Sequence, residues 1–275
     1  MTLSDIAIGS DRAQRGFCSI AEQMGLTART LQNTAVGMHA LLKTVSEGVV
    51  RFAERLRLQN QEFAILMPSL AARSWYFGMD MPLSSMSRMA RLAASGDYGA
   101  VDAALADWHR RHSQAIIKRI AERFPDRSRV LTAALTAHQA GNYLLSIPAF
   151  LAQADGIAHD YLSEHFFRTG RWKQRLREFM HEANLTGFAS VMAIPLSEPG
   201  LIRTPTNRLA EPAGILNRHQ ILHGLTSDYG TEMNSLKCIG LLDYLYSVGE
   251  MIVARKAPSN RVGIGADARR LEPAR

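Results

Sequence analysis

The chain of 275 residues is poor in the features that define many functional classes. It has two cysteines, Cys18 and Cys238, far apart and in no CxxC pair. That excludes a cysteine-based zinc site and fits a reducing, cytoplasmic compartment. No stretch reaches the roughly 18 consecutive apolar residues of a membrane span. The most apolar segments, LLSIPAFLAQADGIA and FASVMAIPL, are short and interrupted by Pro or Asp. The N-terminus, MTLSDIAIGSDRAQRGF, lacks the basic segment and apolar run of a secretory signal. Alternating apolar and polar runs bounded by hairpin turns are missing, which argues against sheet. There is no glycine-rich phosphate loop and no internal repeat. The expectation is a cytoplasmic, all-α protein with no membrane segment, no cofactor and no metal.

What is present is helical periodicity and positive charge. The formal net charge is +7. Part of it lies at the end, where residues 255–275 hold six basic residues against two acidic ones. That balance is compatible with nucleic acid as a partner, and equally with a solvated tail. The tail has no periodicity and reads as disordered beyond residue 256.

Near the N-terminus, Leu31, Ala35, Met38, Leu42, Val45, Val49, Phe52 and Leu56 alternate spacings of four and three. This is a heptad seam, and it predicts a long helix from about Thr27 to about Gln61. It could pair within the chain or with a second copy. Pro68 and Pro82 then bracket the aromatic trio Trp75, Tyr76 and Phe77, which suggests a short helix and a turn. Ser84 or Ser85 is expected to cap the next helix, with Gly96 ending it. Asp97 should cap a long helix that stops before Pro125. On it, His109, Arg110, Arg111, His112, Lys118 and Arg119 are expected to form an exposed basic face.

Two further helices should meet at Gly141–Asn142, the second carrying Pro148. In its apolar run sits Asp155, expensive to bury without a partner. It either faces solvent or pairs with a cation from another helix, with Arg218 the candidate. A basic amphipathic helix, RWKQRLREFMHEANLTG, comes next. The segment holding Pro195, Pro199, Pro205 and Pro212 reads as a surface loop. After residue 231, Leu236, Ile239, Leu242, Leu245, Val248 and Ile252 form a core-facing stripe. The organisation expected is therefore a heptad region over 1–65, a connecting helical region over 66–126, a helical domain over 127–256 and a tail over 257–275.

The chemistry-bearing segment is LNRHQILHG, residues 216–224. His219 and His223 are four apart and share a helix face, a spacing that suits two zinc ligands. A third ligand is missing, and Gln220 stands where the metalloprotease pattern needs Glu. Arg218 and His223 are five apart, about 140° on an ideal helix. Arg grips a phosphate bidentately, and His moves protons near neutral pH. Together they could cleave RNA with the 2′-hydroxyl as nucleophile. The plain alternative is that His223 is a helix C-cap before Gly224.

Arg218, its polar neighbour His219 and His223, followed by SDYGTEMNSLKCIGLLDYL, resemble the C-terminal motif of the HEPN superfamily. These are all-helical domains of prokaryotic toxins, abortive-infection systems and CRISPR-associated ribonucleases. Their signature is Arg, then His after four to six residues. GNYLLSIPAFLAQADGI resembles the preceding helix, and Asp155 takes the place of the acidic residue that faces the Arg. The likeness covers roughly residues 127–256. It implies a HEPN-like bundle and a metal-independent endoribonuclease acting on RNA, with two motifs meeting across a homodimer. His223 would be the general acid/base, Arg218 the phosphate clamp and Asp155 the group orienting Arg218, with Asn217 and His219 in support. A toxin or phage-defence role, with an antitoxin-like protein partner, is the implied setting. A non-catalytic interaction or RNA-binding protein of the same fold is the other expectation.

Overall fold

The structure is a computed structural model, and it describes residues 38, 43, 46, 50, 54, 57–167, 172–197, 200–205 and 216–256. The chain divides into two units, Met1–Leu58 and Gln59–Arg275. In the first unit the few described residues are helical, Met38 among them and exposed. The rest of the heptad seam lies outside the described residues, as does the basic tail.

The second unit is all-α, with no strand among the described residues. Its elements are α1 (59–72), α2 (Leu83–Ala94), α3 (Tyr98–Arg123), α4 (Pro125–Gln139), α5 (Tyr143–Leu162), α6 (Trp172–Glu182), α7 (Phe188–Met192), α8 (Ile194–Ser197), the 3₁₀ turn η1 (Leu201–Arg203), α9 (Arg218–Leu222) and α10 (Glu232–Lys256). Four of them close a ring of neighbours: α3 packs on α4, α4 on α5, α5 on α10 and α10 on α3. No described helix is long and apolar enough to cross a membrane.

Local signals explain much of this. Asp97 caps α3 by accepting the Ala100 N–H at 3.0 Å. Pro125 opens α4, where its missing N–H is no loss. The break at Gly141–Asn142 falls between α4 and α5. All six stripe residues of α10 are buried, and so are Leu241, Tyr244 and Cys238 between them. The helix is therefore enclosed on most sides, and burial pushes the Cys238 thiol pKa up.

Tertiary packing overrides other signals. Helix α1 runs through Pro68 instead of stopping there, with Phe63, Leu66, Met67, Leu70 and Ala71 buried along one side. Ser84 and Ser85 lie inside α2, whose N-cap is Pro82 with no side-chain cap. His109 is not on an exposed basic face. It is fully buried, stacks on Trp75 with centroids 5.7 Å apart, and its Nδ1 lies 2.8 Å from the Leu105 carbonyl. The proline-containing segment does not run as a surface loop where it is described. It forms α7, α8 and η1 and buries Met192, Leu196 and Ile202.

The aromatic trio is the anchor of the packing. Trp75, Tyr76 and Phe77 are all buried, and their backbone lies along α10. Asp243 of α10, itself buried, accepts the Gly78 N–H at 2.9 Å and pairs with Arg119 of α3 at 2.6 Å. Arg119 also pairs with Asp80, and Ser247 accepts the Met79 N–H at 3.1 Å. A Cβ at position 78 would strike both Asp243 and Ser247, so only glycine allows this approach. Burial pushes the Asp243 pKa up, and Arg119 and the Gly78 amide oppose it. Removing one partner from such a pair costs about 3–5 kcal/mol. Arg73 clamps Asp102 through Nε and Nη2, and the Trp75 indole donates to the same carboxylate at 3.0 Å.

Burial lowers the His109 pKa to about 4, against the small upward pull of its Leu105 bond. It also lowers that of His138, whose Nδ1 is 2.8 Å from Ser235 Oγ. Between the unfolded value near 6.5 and the folded one, the unfolded chain binds protons that the fold does not. Stability therefore falls as pH drops through that window. We predict that urea denaturation shows about 3 kcal/mol lost to His109 between pH 7 and pH 4. In His109→Gln the acid loss should shrink by a similar amount; an unchanged pH dependence would contradict this.

Candidate functional site

Helix α9 is only five residues long, and both of its ends are fixed by side chain and backbone. Asn217 is fully buried and caps it, accepting the Gln220 N–H at 3.0 Å. The same side chain donates to the Leu201 carbonyl at 2.7 Å and the Thr204 carbonyl at 2.8 Å. Asn217 thus fastens η1 to α9. At the other end Gly224 takes φ 68°, its N–H bonds the Ile221 carbonyl, and the Leu225 N–H reaches back to Gln220. This is the paired closure of a Schellman turn. His223 is the C-cap.

The inward side of α9 is Asn217, Gln220 and Ile221, all buried. His219, Leu222 and His223 are exposed, and Arg218 is half-buried. Arg218 and His223 therefore edge the outward face, with His219 and Leu222 between them. The His219 and His223 rings touch edge to face, centroids 4.4 Å apart.

Helix α9 lies on α5, and Pro148 helps to hold the connection. Lacking an N–H, Pro148 leaves the Leu144 carbonyl without its helical partner. The Tyr229 hydroxyl donates to that carbonyl at 3.2 Å. Tyr229 stands between α9 and α10, and its own carbonyl accepts from Asn234 of α10 at 3.0 Å. The proline in α5 thereby creates the acceptor that docks the loop after the motif.

Asp155 does not pair directly with Arg218. Its Oδ1 accepts the Phe167 N–H at 3.1 Å, and its Oδ2 lies 2.9 Å from Nδ1 of His165. Arg218 instead lies over the Phe167 ring, 5.4 Å from the centroid, with its Nε buried and making no hydrogen bond. The link from Asp155 to Arg218 thus passes through Phe167. Beside it Arg203, of η1, lies 4.6 Å over Phe166 and donates to the Leu196 carbonyl at 3.0 Å. Burial lowers the Arg203 pKa, while the Tyr76 and Tyr244 hydroxyls and Asp155 support its charge. Two adjacent phenylalanines thus each carry an arginine.

Of the five residues expected at the site, the structure places Arg218, His219, Asn217 and His223 on one short helix. It puts Asp155 on the neighbouring helix, one residue removed from contact. His165, Phe166, Phe167 and Arg203 were not anticipated. The run EHFFR offered a signal, since a histidine and two aromatics follow directly on the helix that carries Asp155.

Comparisons with protein-family models, with curated proteins and with solved structures give no match. The functional reading therefore rests on the residues themselves.

The capping geometry makes Asn217 the part of the motif that sets its position. We expect Asn217→Ala to destabilise the protein by about 2–4 kcal/mol, since it removes a cap and strands two carbonyls. Asn217→Asp, which keeps the cap but sets a buried carboxylate oxygen against the Leu201 and Thr204 carbonyls, should lose at least as much. Equal stability of Asn217→Ala and wild type in urea melts would show that α9 is held by something else.

Proposed function

We propose that the chain is a metal-independent endoribonuclease of the HEPN type, cleaving RNA by attack of the substrate's own 2′-hydroxyl. The observation that carries this reading is the placement of Arg218 and His223 at the two edges of the exposed face of α9. Polar groups buried for structural reasons are normally hydrogen-bonded within the fold. Here His223 is exposed and the Arg218 Nε makes no hydrogen bond. A phosphodiester lying across α9 would meet both.

The roles follow from chemistry. Arg218 is the fixed cation that holds a non-bridging phosphate oxygen and stabilises charge as the phosphorane forms. Its guanidinium is set by the Phe167 ring, and Asp155 sets Phe167. His223 transfers a proton. His219, in contact with the His223 ring, restricts its orientation, and Asn217 holds the helix. A homodimer with two motifs meeting in a composite site, and a toxin or phage-defence role with a protein antitoxin, extend the same proposal. The net charge of +7 favours RNA as substrate.

A second reading is a non-catalytic helical protein that binds RNA or a protein partner. It is favoured by exposed apolar side chains: Val130, Leu144 and Leu145 on α4 and α5, and Leu222 and Leu225 around the motif. Leu145, 68% exposed, lines a groove of about 500 Å³ with Val130, Ala133 and Ala149.

One assay separates the two. In the presence of EDTA, wild type should cleave single-stranded RNA and His223→Ala should be slower by at least about 100-fold. Cleavage by neither protein, with RNA still bound, would favour the non-catalytic reading.

A further inference from the structure

We infer that His165, backed by Asp155, is a second proton-transfer residue of this site, serving as the general base toward the ribose 2′-hydroxyl while His223 serves as the acid. The inference rests on the ribonuclease reading and adds to it a residue that lies outside the Arg-to-His motif.

Cleavage through the 2′-hydroxyl moves two protons. One leaves the 2′-oxygen as it bonds to phosphorus, and one must reach the 5′-oxygen as the P–O5′ bond breaks. The products are a 2′,3′-cyclic phosphate and a 5′-hydroxyl, and neither water nor an oxidant is consumed. Attacking and leaving oxygens lie on opposite sides of phosphorus, so base and acid belong on opposite sides too. Within one chain, the motif supplies His223 for one side.

His165 meets the requirements for the other. Its Nδ1 is buried and faces Asp155 Oδ2 at 2.9 Å. The two are close but not aligned for a hydrogen bond, a resting arrangement of the kind that tightens when substrate binds. A proton held on Nδ1 toward the carboxylate leaves Nε2 as the basic nitrogen. The His165 side chain is 41% exposed, and with Nδ1 buried the exposed edge is the one bearing Nε2. Asp155 is only 20% exposed and is fixed a second time by the Phe167 N–H.

The placement also fits. Phe167, two residues from His165, carries Arg218 on its ring. Arg218 begins α9, and His223 lies beyond its other end, a rise of about 7.5 Å. Arg218 thus stands between the two histidines in the chain of contacts, linked to the His165 segment through Phe167 and to His223 along α9. The other charged or titratable groups facing His165 are His159 of α5, its ring centroid 4.8 Å away, and, through Phe166 and Phe167, Arg203 of η1 and Arg218 of α9. A carboxylate placed only to close the end of α5 needs the Phe167 bond alone, whereas this one also meets an imidazole whose free nitrogen is turned outward.

The test uses the full chain with EDTA and two oligoribonucleotides of the same sequence, one of them carrying a bridging 5′-sulfur at the cleaved linkage. A thiolate leaves without a proton, so that substrate has no need of the acid. His165→Ala should be at least about 100-fold slower on both substrates, with part of the rate restored by free imidazole. His223→Ala should be slow on ordinary RNA and close to wild type on the sulfur substrate. Asp155→Asn keeps an acceptor for the Phe167 N–H, so it should melt like wild type yet cleave about 10-fold slower. Full activity of His165→Ala or His165→Gln, beside an inactive His223→Ala, would overturn the dyad and leave the ribonuclease reading standing. So would a loss that imidazole does not restore and that tracks a lowered melting temperature in both His165 variants. A wild type inert toward RNA overturns both.

Discussion

The buried carboxylate of Asp243 joins three parts of the chain that are distant in sequence. It receives the Gly78 amide from the segment before α2, the Arg119 guanidinium from α3, and belongs itself to α10. A charge so placed is tolerable only while each of these partners is present. Its geometry therefore dictates what surrounds it. Position 78 must be glycine, the aromatic trio must lie along α10, and α3 must pack where Arg119 can reach. The ring of α3, α4, α5 and α10 closes around that arrangement.

The motif is an outgrowth of this frame. Helix α9 is too short to be stable alone. It persists because Asn217 ties it to η1, Gly224 closes its end, and Ile221 and Gln220 face the interior. Pro148 contributes from α5 by leaving a carbonyl for Tyr229. With its inward face committed to structure, α9 presents Arg218, His219 and His223 outward. The proposed chemistry would thus sit on a short helix at the surface, an arrangement that suits a long polymeric substrate that cannot enter a closed pocket.

Legibility followed the range of the interaction. Caps and periods are local, so Asp97, Pro125, the Gly141–Asn142 break and the α10 stripe could be read directly. The C-cap position of His223 before Gly224 was legible for the same reason. Pro68 misled because the loss of one hydrogen bond was outweighed by burial of Phe63, Leu66, Met67 and Leu70. His109 misled because its neighbours in sequence are charged, while its burial is decided by Trp75 across the fold. Asp155 is the instructive case for the site. Its need for a partner was evident from its apolar surroundings, but two partners were available. The nearer in sequence, His165, took the contact, and Arg218 is reached through an aromatic ring that no charge pattern reveals.

The central claim is that the outer face of α9 receives an RNA phosphodiester without the help of a metal. The most direct measurement is an NMR titration of histidine- and arginine-labelled protein with a 2′-O-methyl oligoribonucleotide in EDTA, since the methyl group prevents cleavage and leaves the phosphates intact. The account predicts saturable shifts of the His223 imidazole and the Arg218 guanidinium. Binding that shifts other residues and leaves these two unmoved, or no binding at low salt, would contradict it.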